Sequence, residues 1–192
     1  EFPERGFKTL VLERGRAIPP AEDYTDMIPP WEVPNLDRIP QDEVAEHYWM
    51  QDEGVGYAVR ETTKHYWVKD DEHPYEFPDD ARFQWLRGYH EGGKSIMWGR
   101  QSYRFGPQDF ESNLKDGHGV DWPIRYEDLV SWYDHVETFA GISGDRDGLA
   151  QLPDGQFQPA FEMTAAEKLF KRGVESTFPT RNVINARVAH LT

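Results

Sequence analysis

The sequence predicts an α/β protein, and three stretches lead to that expectation. Residues 7–13, FKTLVLE, form an apolar run of residues that favour strands. Residues 127–140 place apolar side chains at the three- and four-residue spacing of an amphipathic helix, which Gly141 can end. The capping box at 164–167 predicts a second helix to about residue 176, and the strand-forming residues of 182–189 follow it. Helices and strands are therefore expected in the same chain.

Composition excludes several classes of function. The 192 residues are 38% hydrophobic and 14% aromatic, which is too rich for a disordered chain. The net charge of −14 repels a phosphate backbone, so nucleic acid is not an expected partner. Cysteine is absent, which excludes disulfides, thiolate metal sites and a cysteine nucleophile in this chain. No stretch of about 18 apolar residues occurs, so no membrane span is expected.

The first apolar run ends in an acidic residue followed by a charged turn. A run that is apolar on both faces suits a central strand of a parallel sheet. In dinucleotide-binding folds, an acid at the end of the second strand accepts hydrogen bonds from both ribose hydroxyls. Glu13 and the adjacent Arg14 are therefore candidate cofactor contacts, and a plain charged turn is the alternative. The GxGxxG turn expected about twenty residues earlier does not occur, so we expect this chain to be part of a longer protein.

Residues 17–83 predict a long excursion over the surface. Proline pairs at 19–20 and 29–30 break helices there. Residues 41–49 suit a short helical turn, whereas 57–60 and 66–68 suit two short strands that could pair. The stretch 70–80, DDEHPYEFPDD, is expected to be a solvated acidic loop. Excursions of this length usually cover or gate a site.

The stretch 91–104, EGGKSIMWGRQSYR, concentrates glycine, aromatic and cationic residues. Gly92 and Gly93 permit positive φ and close backbone approach to a ligand. Met97 and Trp98 supply flat, polarizable surface. These features, together with the small Gly99 and three cations, suit a negatively charged cofactor with a flat ring system. A glycine-rich loop leading to a core aromatic is the alternative.

Other chemistry finds little support in the sequence. The seven histidines include no pair at helical i, i+4 spacing and no HExxH, so packed or surface roles are expected for them. No GxSxG motif occurs. The loop GDRDG has alternating acids but lacks the length and terminal Glu of a calcium loop. No metal site is predicted.

Three motifs together resemble the glucose-methanol-choline (GMC) oxidoreductases. YHEGGKSIMWGRQSYR resembles that family's flavin-proximal signature, and FKTLVLERGR resembles its second strand with the ribose-binding acid. GVDWPIRYEDLVSWYDHVETFAGISG, at 119–144, is similar to a third family stretch. The motifs stand in the family's order. The sequence looks most like the bacterial sugar-oxidising subgroup of gluconate 2-dehydrogenase and glycoside 3-dehydrogenase large subunits, and pyranose oxidases have a similar Gly-Gly segment.

The resemblance implies an FAD-dependent enzyme that removes a hydride from a carbinol carbon of a sugar or another alcohol. It implies a partial Rossmann-like FAD-binding domain and the start of a substrate domain of α+β type that contains a sheet. We accordingly expect four regions. They are the second strand of the FAD-binding domain (1–18), a surface or lid excursion (19–83), the flavin-proximal segment and helix (84–145), and a linker, helix and first strand of the substrate domain (146–192).

The family's cofactor residues are carried over position by position. Glu13 matches the ribose-contacting acid, and the glycine pair matches the passage along the pyrophosphate and ribityl chain. Lys94 and Ser95 match positions near the polar edge of the flavin. Met97 stands where several relatives join a histidine covalently to the flavin, so noncovalent FAD is expected. The resulting set of cofactor-binding candidates is Glu13, Arg14, Gly92, Gly93, Lys94, Ser95, Met97, Trp98 and Gly99.

The family's catalytic histidine lies toward the carboxyl end, beyond the matched motifs. No catalytic residue is therefore expected in these 192 residues, which alone should not turn over substrate. Expected partners are the remainder of the same enzyme or a complementary chain, and relatives often have a small partner subunit. A bacterial periplasmic or cytoplasmic location stays open. The alternatives are a scaffold that binds a nucleotide or partner without redox chemistry, and one chain of a split enzyme.

Overall fold

The computed structural model describes residues 2–25 and 28–190 and divides the chain into two compact units. The first unit ends at Trp98, and the second begins at Gly99. In the described residues, helices and irregular segments predominate, and the regular strands form one small two-stranded sheet. The larger sheet of a Rossmann-like domain stays a prediction.

The first unit contains short helices joined by turns. Helix α2 (Gln41–His47) confirms the helical turn expected within residues 41–49, and its acidic first turn favours the helix amino terminus. Helix α3 (Trp49–Val55) follows directly after Tyr48 and was not predicted. The α-helices of this unit are α1 (Pro20–Asp23), α2 (Gln41–His47) and α3 (Trp49–Val55), and its 3-10 turns are Pro3–Arg5, Pro34–Asp37, Lys64–Tyr66 and Gly93–Ile96.

The hairpin expected between 57–60 and 66–68 was wrong. The hydroxyl of Thr63 donates to Ala58 O at 2.8 Å and accepts from Arg60 N at 3.0 Å. These bonds close a compact turn, which the 3-10 turn Lys64–Tyr66 follows. A threonine side chain therefore satisfies the backbone groups that a hairpin ladder would otherwise pair.

The apolar run 7–13 is exposed in the structure. The exposed fractions of Leu10, Val11 and Leu12 are 81%, 81% and 84%. Among the described residues, this run has no strand neighbour. A strand becomes regular through hydrogen bonds to its neighbours, so its place in a central sheet stays a prediction.

The core of the first unit combines apolar side chains with one buried acid. Met50 is fully buried, and the burial of Tyr48 raises the pKa of its phenol to about 12. Asp70 is 2% exposed, which corrects its assignment to a solvated acidic loop. Its carboxylate accepts hydrogen bonds from Met50 N at 3.0 Å and Gln51 Nε2 at 3.4 Å. Burial raises the pKa of Asp70, and Arg87 lies 3.9 Å away as its counter-ion.

The second unit contains three longer helices and a small sheet. The helices are α4 (Pro107–Asp116), α5 (Tyr126–Ala140) and α6 (Ala165–Thr177). Strand β1 (Ile142–Ser143) pairs antiparallel with β2 (Val188–Ala189), with Ile142 opposite Ala189. The strand expected over 182–189 therefore forms only at its last two residues.

Local signals explain the boundaries of α5 and α6. At α6, Thr164 Oγ1 accepts from Glu167 N, and Glu167 Oε2 accepts from Thr164 N, as the capping box predicted. At α5, Asp128 Oδ2 accepts from the backbone N–H of Arg125 at 2.8 Å, although Arg125 supplies no side-chain cap. Gly141 ends α5 with φ of 68°, the left-handed geometry expected there.

A buried arginine organises the second unit around α5. The Arg104 side chain is 1% exposed and donates to both carboxylate oxygens of Glu137, at 2.9 and 2.5 Å. Asp134 and the hydroxyl of Tyr126 accept two further bonds. A methyl group at Gly155 would lie 2.1 Å from Glu137 Oε2, so the chain passes closely over this ion pair.

Candidate functional site

The first unit brings together the two segments that the sequence assigned to cofactor binding. Arg16 and His90 form a parallel bridge, and Glu91 N donates to Arg16 O at 2.9 Å. A methyl group at Gly15 would lie 2.2 Å from both His90 N and Tyr89 C. The backbone at 13–16 can therefore lie against 89–91 because residue 15 has no side chain.

Glu13 is held by its own turn and presents one free oxygen. Its Oε1 accepts from Arg14 N and Gly15 N, each at 2.8 Å. In the part of the chain that the structure describes, Oε2 makes no hydrogen bond or ion pair, and the side chain is exposed. A fixed carboxylate with a free oxygen can accept hydrogen bonds from ligand hydroxyls.

Arg14 contacts the second segment through an aromatic ring. Its guanidinium carbon lies 3.7 Å from the ring centroid of Tyr89, a close cation–π distance. This contact adds to the backbone bridge between 13–16 and 89–91. Arg14 therefore has a structural role that its assignment as a cofactor contact did not include.

The glycine pair opens the turn that leads into the 3-10 turn Gly93–Ile96. Gly92 and Gly93 have φ of 84° and 51°, the positive values that the sequence analysis said this pair permits. A methyl group at Gly93 would meet nothing within 4 Å, so the space beside it is open. The hydroxyl of Ser95 donates to Gly92 O and stabilises the turn. The side chain of Lys94 is exposed and has no ion-pair partner among the described residues.

The last site candidates differ in their surroundings. Met97 is half-buried, and a methyl group at Gly88 would lie 2.6 Å from its Cε. The thioether therefore packs over the backbone at Gly88 inside the first unit. Trp98 is 43% exposed and ends that unit. Gly99 is the first residue of the second unit, whereas the other candidates belong to the first unit.

A polar cluster behind the bridge was missed by sequence reasoning. Arg16 forms a two-pronged ion pair with Asp23, at 2.8 and 2.5 Å, and the hydrogen bond from Arg16 lowers the pKa of Asp23. The backbone oxygen of Asp23 accepts from the hydroxyl of Tyr66 at 2.6 Å. These contacts connect residues 16–23 to Tyr66. Only the charged ERGR motif gave a sequence signal for them.

His90 has the packed role that the sequence analysis expected for it. It is 2% exposed, and its ring makes an edge contact with Tyr66 at 5.7 Å between centroids. Nδ1 lies 3.2 Å from Glu91 O, whereas Nε2 has no hydrogen-bond partner in the described structure. His90 therefore supports the bridge from behind.

The described residues contain neither a metal-binding cluster nor a membrane-spanning helix. Residues 2–25 and 28–190 contain no group of three or more His, Asp or Glu side chains that could hold a metal ion. Within the same residues, no helix has the length and apolar character that crossing a bilayer requires.

Comparisons with known proteins place the chain near oxidoreductases. No family model matches it. Over 106 residues it is 37% identical to paromamine 6'-oxidase from Streptomyces fradiae, covering 52% of this chain and 18% of that protein. Over 102 residues it is 31% identical to 6'''-hydroxyparomomycin C oxidase from Streptomyces lividus, covering 49% and 19%. Over 55 residues it is 36% identical to 2-methyl-1,2-propanediol dehydrogenase from Mycolicibacterium austroafricanum, covering 28% and 10%.

All three relatives are named as oxidases or dehydrogenases. The matches cover about half of this chain for the two oxidases, and the chain spans less than a fifth of the length of each. Over these limited stretches the chain is therefore similar to oxidases and dehydrogenases.

Proposed function

We propose that this chain is part of a GMC-type oxidoreductase that binds FAD noncovalently and oxidises a carbinol carbon of a sugar or another alcohol. The observation that carries the proposal is the adjacency of residues 13–16 and 89–93 in the first unit. Sequence reasoning assigned both segments to the same cofactor, although about 75 residues separate them. Their contact agrees with a shared ligand.

The local chemistry fits the proposed cofactor. The free Oε2 of Glu13 suits the hydroxyls of a ribose, because a carboxylate accepts two hydrogen bonds. The open space at Gly93 suits close approach of a phosphate or ribityl chain, and the unpaired ammonium of Lys94 suits negative charge. Met97 has no nucleophilic nitrogen, which agrees with noncovalent attachment through this position. When bound, the flavin would supply the hydride acceptor.

The residues of this chain would bind and orient the cofactor. Glu13 would fix the adenosine end, and the turn at Gly92 and Gly93 would fix the path of the linking chain. The catalytic base is assigned to a part of the enzyme outside the matched motifs. Sugar or alcohol substrates are suggested by the names of the relatives, two of which are named as oxidases of paromamine and of 6'''-hydroxyparomomycin C.

Absorbance of the intact purified protein that contains this chain, between about 300 and 550 nm, tests the cofactor. The proposal predicts flavin bands that move into the supernatant after acid precipitation. Flavin that stays in the pellet would refute the role given to Met97. Absence of flavin from protein with intact helical structure would favour the scaffold alternative and overturn the proposal.

Glu13→Gln tests the ribose contact. The amide keeps the shape but loses the charge that strengthens hydrogen bonds to hydroxyls, and charge-assisted bonds contribute about 1.5–3 kcal/mol. We expect FAD affinity to fall about tenfold or more in a fluorescence titration of apoprotein. Glu32→Gln, an exposed change in the same unit, is the matched control. Equal affinity in both variants would contradict the assignment of Glu13.

A further inference from the structure

The first unit contains an open cavity separate from the residues assigned to FAD. Its volume is about 370 Å³, which lies at the small end of the usual range for ligand pockets, about 300–1,000 Å³. Its walls come from 36–44 and 52–60. The side chains that matter here are Leu36, Asp37, Arg38, Asp52, Tyr57 and Arg60.

One wall of the cavity is a strained turn. Asn35, Leu36 and Asp37 have φ of 53°, 53° and 63°, so three consecutive residues with side chains adopt the left-handed region. Each such residue costs free energy, and leucine lacks the short polar side chain that eases this conformation for Asn and Asp. Leu36 is nevertheless 80% exposed, so burial of its side chain does not offset the strain.

The side chain of Asp37 connects this turn to residues 60–62. Its Oδ1 accepts from Thr62 N at 3.0 Å and Thr62 Oγ1 at 2.8 Å, and Oδ2 lies 3.6 Å from Arg60. These side-chain contacts stabilise the turn in its strained backbone conformation. Arg38 follows the turn directly and lines the cavity.

Other polar groups of the cavity are unpaired. Throughout the described residues, the side chains of Arg38, Asp52 and Tyr57 make no hydrogen bond or ion pair. Tyr57 is 80% exposed, and Arg38 and Asp52 are exposed as well. A guanidinium donor, a carboxylate acceptor and an aromatic ring therefore line one concave surface without partners of their own.

We infer that this cavity is a binding subsite for a saccharide ring, distinct from the proposed FAD contacts. A sugar hydroxyl both donates and accepts, so neighbouring hydroxyls can satisfy Asp52 and Arg38 together. The apolar face of a sugar ring can lie on Tyr57, whose ring is rigid and amphipathic. This inference concerns binding alone and extends the proposed function to a second carbohydrate contact.

A small zwitterion such as an amino acid fits the cavity less well. Its recognition would depend on two ion pairs, to Arg38 and to Asp52. Ion pairs between exposed groups in water are weak, because solvent and salt screen them. A saccharide instead combines several hydrogen bonds from its neutral hydroxyls with contact area on Tyr57. The open, solvated walls therefore favour the saccharide.

Saturation-transfer NMR with methyl α-D-glucopyranoside tests the subsite on the full chain. We expect transfer to the ring protons with millimolar affinity. Arg38→Gln and Asp52→Asn should each weaken binding about fivefold to tenfold, as expected for loss of one hydrogen bond to a charged group. Tyr57→Ala should weaken it similarly, whereas Tyr57→Phe should retain it. Lys69→Gln, which removes a cation outside the cavity wall, is the matched control and should bind as the parent does.

Three results would overturn the inference. They are no transfer at millimolar sugar, equal affinity in Arg38→Gln and the control, and displacement of the sugar by glycine betaine. Far-UV circular dichroism verifies that each variant is folded. Flavin content is measured in the same samples. Absence of saccharide transfer in parent protein that retains its flavin would therefore refute the subsite without affecting the proposed function.

Discussion

The two units of this chain are stabilised in different ways. In the second unit, α5 and α6 each begin with a hydrogen bond from the N-cap backbone to an acidic side chain three positions later. Gly141 ends α5. In the first unit, helices are at most seven residues long, and contacts between distant residues hold the segments together. Asp70 with Met50 is one example, and the bridge between Arg16 and His90 is another.

This difference explains which contacts each unit depends on. A helix with strong local signals forms largely from neighbouring residues, and α5 then buries Glu137 beside Arg104. Short helices of seven residues are marginal alone and require tertiary contacts. Substitutions should therefore affect the second unit most at its buried ion pair and the first unit most at its long-range polar contacts.

The largest expected effect is at the centre of the second unit. Arg104→Met should lower the free energy of unfolding by about 3–5 kcal/mol, because Glu137 would keep a buried charge without its partner. Urea unfolding followed by far-UV circular dichroism measures the change. Lys115→Met removes the exposed pair with Glu111 and should cost less than about 1 kcal/mol. Equal losses would contradict the buried role of Arg104.

The next effect tests the first unit. Asp70→Ala should cost about 1–3 kcal/mol, because Met50 N and the Gln51 amide would lose a buried acceptor. Tryptophan fluorescence during urea unfolding reports the change. Asp79→Ala, in the exposed part of the same acidic stretch, should be near neutral. A neutral result at Asp70 would mean that this contact does not hold the unit together.

A smaller effect of opposite sign is expected on α6. Gly173 lies inside this helix, and a methyl group there would meet nothing within 4 Å. Gly173→Ala should therefore stabilise the protein by about 0.8–1 kcal/mol through helix propensity. The midpoint of urea unfolding should rise. An unchanged or lower midpoint would indicate that α6 contributes little to the cooperative unfolding of its unit.

The smallest effect concerns pH and the ion pair behind the bridge. The hydrogen bond from Arg16 lowers the pKa of Asp23 below 3.8, so its stabilisation is present above that pH and is lost as pH falls through the lower folded value. His65, Tyr66 and His90 also face Asp23, and protonated histidines would favour its charged form. Urea unfolding between about pH 2 and 5 should show less acid dependence in Asp23→Asn than in the parent. Asp79→Asn is the control, and identical pH profiles for Asp23→Asn and the parent would contradict the pair.

Elements with local signals could be predicted from the sequence, whereas those that depend on distant contacts could not. Helix α5, its glycine terminus and the capping box of α6 were predicted because each signal lies within a few residues of its effect. The turn of Thr63 and the burial of Asp70 were not, because both depend on hydrogen bonds that a hydrophobic pattern does not encode. The positive φ of Gly92 and Gly93 was anticipated from residue type.

The same distinction between local signals and distant contacts applies to the candidate site. Residue types identified Glu13 and the glycine pair as candidates, but pattern alone could not show that 13–16 lies against 89–91. Gly15 was not among the candidates, because its role is to leave room for backbone 75 residues away. Arg14 was assigned to the cofactor, and its contact with Tyr89 was not foreseen.

We propose that residues 13–16 and 89–93 form one cofactor-binding surface. The most direct test is the flavin content of purified Gly15→Ala, compared with Gly173→Ala as a glycine substitution in open space. A methyl group at Gly15 would meet backbone atoms at 2.2 Å and force the two segments apart. With helical structure retained, we predict at least about a tenfold loss of bound flavin in Gly15→Ala and parent-like content in Gly173→Ala. Parent-like flavin content in Gly15→Ala would contradict the claim.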